Sequence, residues 1–213
     1  MPTAFSACNI GAIFDCHLSM DKQISSISQS CYIHLRNISQ IRHYLSPEHT
    51  ERLVCAFISS KLDHLNCLLY GLPKYQIRRL QLIQNNAARL ITRTRKCESI
   101  TPILISLHWL PVESRIEYKI LLLTFKALNG LAPIYLSELL ISYKPSRNLR
   151  SGNMNLLKEI EPCTVRFGER AFAHCAPKLW NMLPNDMRNC GSLEIFKKRL
   201  KTYLFKRNFD RFL

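Results

Sequence analysis

The sequence predicts a mainly α protein: a helical bundle followed by a small α+β C-terminal piece. Apolar residues recur at steps of three and four over most of the chain, which is the spacing of an amphipathic helix. Serine, proline and glycine stand where these stretches begin and end. β-prone residues are confined to a few short segments near the two ends. With 213 residues and 47% apolar side chains, the chain is long enough for one ordinary domain or two small ones.

The first elements are expected to be a short strand and a long helix. Residues 9–15, NIGAIFD, are apolar and bounded by turn-forming residues, which predicts a strand. A helix is expected over about 21–45, where the apolar residues follow helical spacing. No neighbouring strand is expected for 9–15, so the strand would have an unpaired edge through which copies of the chain could associate.

The second helix has a clear start. Ser46 is a good N-cap, Pro47 suits the first helical position, and Glu48 places an acid in the first turn. The helix is expected to continue to about Tyr70, because Gly71-Leu72-Pro73 would end it there.

The third helix, over about 75–94, is expected to have one apolar and one basic face. On a helical wheel the apolar residues fall on one side; they are Ile77, Leu80, Ile83, Ala87, Leu90 and Ile91. Arg78, Arg89 and Arg93 fall within about 60° of one another on the opposite side, and Arg79 flanks them. The helix therefore has a core face and a basic stripe.

Shorter elements are expected to follow. Before the linker they are a short helix opened by Thr101-Pro102, a helix from Pro111 to about Asn129 with Gly130 as its C-cap, and a short helix over 133–141. A linker is expected over 144–154. After it come a possible hairpin over 155–160 and 163–167, a helix over 169–181, and a last helix capped by Ser192. Trp109 and Trp180 are interpreted as core residues, not as base-stacking platforms.

The charge is unevenly distributed. The formal net charge is +15, and residues 1–73 contain five basic and five acidic residues, so residues 74–213 carry all of it. Residues 74–96 contain seven basic residues and no acid. A second basic cluster lies in the last helix and consists of Lys197, Lys198, Arg199 and Lys201. Such an excess indicates a polyanionic partner.

The basic residues most suited to phosphate contacts lie in these two segments. They are Arg78, Arg79, Arg89, Arg93, Lys96, Lys197, Lys198, Arg199 and Lys201. Most charged helix faces are simply solvated, but the face on the third helix is purely positive and lacks the glutamates that an ordinary exposed helix uses as partners.

Other chemistries receive little support. No run of about 18 apolar residues predicts a membrane-spanning helix, so no membrane partner is expected. Nine cysteines at irregular spacing indicate reduced thiols and an intracellular location, nucleus or cytoplasm, with Cys31 and Cys55 expected at buried helix positions. Two Cys/His pairs have local metal-ligand spacing, but neither has a matching second pair, and no metal is expected. No nucleophile elbow, P-loop or dinucleotide-binding glycine motif is present in the sequence.

Several phrases in order resemble one family. NIGAIFD, DKQISSISQSCYIHLRNISQIRHYL, SKLDHLNCLLYGLP, LQLIQNNAARLITRTRK and LHWLPVESRIEYKILLLTFKALNGLAPIYLSELL are similar to the C-terminal region, thumb and downstream, of reverse transcriptases from non-LTR (LINE-type) retrotransposons, jockey-type elements among them. RNLRS, FGERAFAHCAPKLWNMLP and LEIFKKRLKTYLF resemble the segments that follow in that family. The sequence departs from the pattern at Gln23, Lys61, His64 and Leu65.

The resemblance implies a division of the chain and a function. Residues 1–18 would be a remnant edge strand of the palm, 19–143 the helical thumb-like region, 144–154 a linker and 155–213 a small C-terminal α+β region. The implied function is binding of the template–primer duplex, RNA or DNA, as a fragment of an RNA-directed DNA polymerase encoded by a transposable element.

The same resemblance implies that the chain is not an enzyme by itself. The family's polymerase aspartates lie N-terminal to the point at which this sequence begins, so no catalytic residue is assigned, and the Mg²⁺ of the parent enzyme is not expected here. Nucleotide transfer uses two metal ions held by convergent carboxylates. The five aspartates of the sequence do not neighbour another acid.

Two other interpretations remain open. The chain could be a helical fragment that binds another protein, or a non-functional retrotransposon relic. Weak binding of nucleic acid by a folded chain would favour either of these over the template–primer hypothesis.

Overall fold

A computed structural model describes residues 6–143, 155–161, 164, 168–210 and 212. The fold is mainly α with a small β element, as the sequence predicts. The chain divides into two compact units, Met1–Arg115 with Asn208–Leu213, and Ile116–Arg207. The predicted linker, 144–154, lies outside the described residues.

Unit 1 begins with a β-hairpin. Strand β1, Ser6–Asn9, pairs antiparallel with strand β2, Ala12–Asp15. Ile10 and Gly11 form the two-residue turn, with φ of 50° and 79°, the left-handed conformations of a type I′ turn. The prediction of one strand over 9–15 without a neighbour is therefore wrong. The turn at Ile10-Gly11 reverses the chain and gives β2 a partner from residues that the sequence pattern leaves unassigned.

A carboxylate joins the hairpin to the first helix. Asp15 accepts hydrogen bonds from the backbone N–H groups of His17, Ser19 and Met20 at 2.9–3.0 Å, and from the Ser19 hydroxyl. Burial raises the pKa of Asp15, but these donors outweigh it and hold the pKa below its usual value. Met20, in a left-handed conformation, is the residue before helix α1.

The helices of unit 1 largely follow the predicted pattern. Helix α1 is Asp21–Ile41 and ends in a 3₁₀ turn, Arg42–Tyr44. Helix α2, Pro47–Val54, continues through a π-helical turn, Cys55–Ser59, into α3, Ser60–Asp63. Helix α4 is Lys74–Thr92, α5 is Thr101–Ser106 and α6 is Val112–Leu128. Ser46 caps α2 as predicted, since its side chain accepts a hydrogen bond from the His49 N–H.

The second helix ends earlier than predicted. It stops at Asp63, and His64 then has extended geometry while Leu65 is left-handed with φ of 52°. A 3₁₀ turn, Asn66–Leu69, follows. The break lets the His64 ring reach the hairpin, where its Nε2 lies 3.1 Å from the Ile10 carbonyl oxygen. Helical periodicity alone predicts that these residues continue the helix, because it carries no information about this contact with the hairpin.

Helices α1 and α4 pack side by side and run in the same direction. Gln76 donates to the Asp21 carboxylate at 2.5 Å near their first turns. At the far end, the Arg93 guanidinium lies 3.4 Å from the Arg42 carbonyl oxygen. The predicted apolar face of α4 is buried except that Ile77 is only half-buried, and Gln76 and Gln84 are buried beside it. Gln84 donates to the Leu110 carbonyl at 2.8 Å, so this buried amide holds the 108–111 break against α4.

Unit 2 contains most of α6, three short helices and all but the last two residues of the final helix. The helices are α7, Ile134–Glu138; α8, Phe172–Asn181; α9, Asn185–Arg188; and α10, Leu193–Phe209. Its centre is an aromatic cluster in which Phe125 and Phe196 stack at 4.3 Å and Trp180 lies 5.9 Å from Phe196. Trp180 is buried and donates to the Asn155 carbonyl, which confirms it as a core residue.

The predicted C-terminal hairpin over 155–160 and 163–167 lies only partly within the described residues. Leu157 makes an isolated antiparallel bridge with Ser142. Most of 163–167 lies outside the described residues. Within the described part of this region, the pairing partner of 155–160 is therefore the chain after α7.

Candidate nucleic-acid interface

Helix α4 presents its basic residues unequally. Arg78 is exposed on the outer face, next to the exposed side chains of Tyr75 and Leu82. Arg79 is half-buried and donates to the Ser25 hydroxyl on α1 at 3.2 Å. Arg78 thus faces solvent, whereas Arg79 also helps to join the two helices.

Arg89 is held against the loop that follows α4. It is half-buried, and its Nη2 donates to the Glu98 carbonyl at 3.0 Å. Its Nε is buried and has no hydrogen-bond partner among the described residues. The guanidinium therefore closes the loop back onto the helix while it keeps its charge near the surface.

Arg93 does not continue the helical stripe. Helix α4 ends at Thr92, and Arg93 is its C-cap residue with φ of 58°. The helical-wheel placement of Arg93 beside Arg78 and Arg89 is therefore wrong. The physical reason is the left-handed C-cap, which turns the chain away from the helix axis and carries the exposed Arg93 towards the end of α1.

The loop after α4 adds further exposed cations. Arg95 and Lys96 are exposed, and residues 95–98 form a closed turn in which the Glu98 carboxylate accepts from the Arg95 N–H at 3.2 Å. Glu98 is the only acid in 74–98, against seven basic residues. The carboxylate serves the backbone of the turn, so the local charge remains strongly positive.

The end of α1 brings residues that the sequence pattern does not single out. Arg42, His43 and Tyr44 form the 3₁₀ turn next to Arg93, and Tyr44 is 89% exposed. Segment 1–73 is electrically neutral, so no charge signal marks these residues in the sequence. They join this surface because α1 and α4 pack in parallel, a tertiary contact that no local pattern in the sequence signals.

The surface formed here is called the basic end. It consists of Arg42, His43, Tyr44, Arg89, Arg93, Arg95 and Lys96. Arginine and lysine near helix C-termini also interact favourably with the helix dipole, which gives part of this charge a structural role. The basic end contains five Lys or Arg residues, and Glu98 is the acid of the same loop. This positive charge is larger than the partial negative charge at the C-terminal ends of two helices.

The second predicted cluster, on α10, is divided by its contacts. Lys197 pairs with Glu194 at 2.7 Å, and this hydrogen bond raises the pKa of Lys197 and lowers that of Glu194. Arg199 donates to the Asp186 carbonyl at 3.3 Å. Lys198 and Lys201 are exposed, and no contact of their side chains appears within the described residues. These two lysines are the members of the cluster best placed to attract a polyanion.

Features of other functional classes are weak in the described part of the chain. Trp109 is buried, which confirms its interpretation as a core residue. No group of three or more metal-ligating side chains occurs among the described residues. In the same residues, no helix is both long enough and apolar enough to cross a membrane. Cys31 is buried as predicted, but Cys55, the first residue of the π-helical turn, is exposed.

Comparisons with known proteins give no relative. No protein-family model matches the chain. No curated protein and no solved structure is similar to it either.

Proposed function

We propose that this chain contributes template–primer binding, to RNA or DNA, without catalysis, as the thumb and downstream region of a non-LTR retrotransposon reverse transcriptase. The observation that carries the proposal is the basic end, where the C-terminal ends of two parallel helices place five basic side chains beside an exposed tyrosine. The resemblance of the sequence to that family supports the same proposal.

The chemistry of this surface favours the phosphate backbone. Guanidinium groups donate several hydrogen bonds in a fixed planar arrangement that matches phosphate oxygens. Contacts of this kind position a duplex without recognising its sequence. Arg78 and Arg89 are separated by eleven helical residues, about 16 Å along the axis. This distance corresponds to roughly five base-pair steps of a duplex.

Tyr44 adds a contact of a different kind. Its ring is the most exposed of the large hydrophobic side chains in the described residues. An exposed aromatic ring beside a basic surface can stack on an unpaired base, which stabilises binding to single-stranded nucleic acid. The basic end would then hold a phosphate backbone and offer Tyr44 to a base at a strand end.

The carboxylates of unit 1 do not fit a two-metal polymerase site. Asp15 accepts four hydrogen bonds from the loop that follows it, Asp21 accepts from Gln76, and Asp63 pairs with Arg115. A Mg²⁺ pair requires carboxylates that converge on a shared position. Each of these carboxylates has a separate structural partner, so no catalytic step is assigned to them.

The test is a fluorescence-anisotropy titration of the full chain against an RNA–DNA hybrid at several salt concentrations. The wild-type chain should bind with a steep salt dependence, because each phosphate contact contributes about 0.9 to the slope of log K against log salt. A combined Arg78→Gln, Arg95→Gln and Lys96→Gln variant changes one exposed arginine of α4 and two cations of the basic end, and it should lower that slope by roughly 2–3. These three residues are chosen because they are exposed, whereas Arg89 and Arg93 donate to backbone carbonyls.

The matched control removes the same charge elsewhere. Lys22→Gln, Arg52→Gln and Lys178→Gln together change three exposed cations outside the basic end. This control should lower the slope by less than about 1, since it affects only the general field of the protein. Equal slopes for the two triple variants would show that net charge, and not this surface, governs binding.

A second candidate function is protein binding. Unit 2 exposes several large apolar side chains over 131–143, namely Leu131, Ile134, Tyr135, Leu139, Ile141 and Tyr143. Clustered exposed apolar side chains are typical of interaction surfaces. Weak hybrid binding at low salt by a folded chain would favour this function over the template–primer proposal.

A further inference from the structure

A polar cavity lies in unit 1, between the hairpin turn, α1 and α3. Its volume is about 400 Å³, within the usual range for small-ligand sites. The residues that matter for its chemistry are Gly11, Ser26, Ser30, Ser60, Lys61 and His64. The cavity shares no residue with the basic end.

The lining is positive and lacks acids. No carboxylate contributes to the cavity wall. The acids nearest in sequence have partners elsewhere, since Asp63 pairs with Arg115 and Asp15 is held by the loop amides. The charge of Lys61 is therefore not neutralised by a carboxylate of the wall, and an anion is the ligand that this wall favours.

The donor groups are suited to oxygen atoms. Within the described residues, Lys61, Ser26 and Ser30 have no hydrogen bond of their own, so an ammonium group and two hydroxyls are available. His64 uses Nε2 to contact the Ile10 carbonyl oxygen, which can only accept, so Nε2 carries a proton. Nδ1 of that tautomer has a lone pair and accepts, so the donors open to an oxygen ligand are the Lys61 ammonium and the two serine hydroxyls. A Cβ at Gly11 would lie 3.2 Å from His64 Nε2, so glycine lets the ring approach the turn.

An aromatic stack lies one helical turn from these donors. His34 and Phe57 stack at 5.1 Å with an interplanar angle of 23°. His34 follows Ser30 by four residues on α1, and Lys61 follows Phe57 by four residues on the adjoining helix. Phe57 is 44% exposed, so part of its ring is open to a planar group. If the phosphate in the cavity belongs to a nucleotide, its nucleoside would reach the Phe57 ring.

We propose that this cavity binds the phosphate of a nucleotide, with Lys61 and the Ser26 and Ser30 hydroxyls on the phosphate and the Phe57 ring beside the base. The nucleotide is either free or the 5′-terminal nucleotide of a strand, because both present the same phosphate.

The test is an amide NMR titration of the full chain with inorganic phosphate, adenosine 5′-monophosphate, and a short single-stranded RNA with and without a 5′-phosphate. Binding should shift the amide signals of Gly11, Ser30 and His64. Adenosine 5′-monophosphate should bind more tightly than inorganic phosphate and also shift Phe57. Tighter binding of the 5′-phosphorylated RNA than of the mononucleotide would identify a strand end as the source; the reverse order would identify a free nucleotide.

Two variants and one control make the result decisive. Lys61→Gln should weaken binding of the monophosphate about tenfold or more, the usual effect of losing one charged hydrogen bond. Ser30→Phe should block the cavity without a change of charge. Lys22→Gln removes an exposed lysine of α1 that donates to the Ser6 hydroxyl, and it should leave the affinity unchanged. Unaltered binding by Lys61→Gln, or signals that shift uniformly over the surface, would overturn the proposal.

The outcome is separable from that of the proposed function. The Arg78, Arg95 and Lys96 triple variant should bind adenosine 5′-monophosphate like the wild-type chain, because none of these residues lines the cavity. Loss of monophosphate binding in that triple variant would place the phosphate on the basic residues of α4 and the loop that follows it, and would refute the cavity site.

Discussion

Arg115 donates two hydrogen bonds to the carboxylate of Asp63, one from Nε to Oδ1 at 2.8 Å and one from Nη2 to Oδ2. The pair joins the end of α3 to the first turn of α6 across 52 residues of sequence. Bidentate geometry fixes the relative orientation of both side chains. It also fixes where the second helix stops, because Asp63 is its last residue.

A double-mutant cycle on this pair should give a coupling free energy of about 1 kcal/mol, the upper end for exposed ion pairs, because the geometry is bidentate but Asp63 is 43% exposed. The measurement is urea unfolding of Asp63→Ala, Arg115→Ala and the double variant. Lys197 and Glu194, an exposed i,i+3 pair on one helix, provide the comparison and should couple more weakly. Equal coupling in both pairs would contradict the bidentate argument.

Asp15→Asn should destabilise the protein by about 1–3 kcal/mol at pH 7, because the carboxylate accepts four hydrogen bonds from the loop before α1. The folded-state pKa of Asp15 is below its unfolded value, so its contribution is complete above about pH 4 and is lost as the pH falls through the lower folded-state pKa. Urea unfolding of both proteins at pH 7, 4 and 2.5 checks this.

The stability difference between wild type and Asp15→Asn should shrink at the lowest pH. Asp210→Asn is the control, since this exposed aspartate lies outside the loop. A difference that stays constant from pH 7 to pH 2.5 would mean that the negative charge of the carboxylate is not the source of its stabilising effect.

Ile10→Asn should stabilise the protein by about 1 kcal/mol. Ile10 has φ of 50°, a left-handed conformation that is unfavourable for a β-branched residue and tolerated by asparagine. Its side chain is 77% exposed, so little apolar burial is lost. Ile33→Asn, at an exposed position in α1 with helical backbone, should give no gain and a small loss from helix propensity. Urea unfolding of both variants measures the difference; equal effects would exclude relief of backbone strain.

Cys31 should resist alkylation in the folded protein. Burial raises the pKa of its thiol to about 11, an effect that the Lys61 charge only partly offsets. At pH 8 the thiolate fraction is then about 100-fold lower than for an ordinary cysteine. Iodoacetamide labelling followed by peptide mass mapping should modify the exposed Cys97 quickly and Cys31 only when the chain is unfolded in urea.

The same shift has a consequence for stability. A thiol with a raised folded-state pKa contributes fully below its unfolded value, near 8.5–9, and that contribution is lost as the pH rises towards 11. Cys31→Val should therefore flatten the decline of the free energy of unfolding between pH 8.5 and pH 10.5. An unchanged decline would assign it to other groups.

Helical periodicity accounts for much of the fold. Buried positions such as Ile24, Leu80 and Leu200 recur at helical steps, and the starts at Ser46 and Ser192 follow from their capping side chains. Helical periodicity does not predict burial where a polar side chain is buried because it hydrogen-bonds to a group far away in the sequence. Gln76 and Gln84 look like surface residues, yet each side chain reaches a group on another segment of unit 1.

The candidate surfaces show the same division. Arg78 is exposed as the helical wheel predicts, but Arg93 leaves the helix through a left-handed C-cap. Tyr44 joins the basic end only because α1 and α4 are parallel. His64 reaches the cavity because the helix breaks at Asp63.

By itself, the sequence determined the mainly α class, most helix limits and the concentration of positive charge after residue 73, because these follow from local spacing, capping and composition. The tertiary structure decided the partner of β2, the end of the second helix, the makeup of the basic end and the existence of the cavity. Each depends on contacts between residues far apart in the chain, such as the 54 residues from Ile10 to His64, and a local pattern carries no information about which distant groups meet.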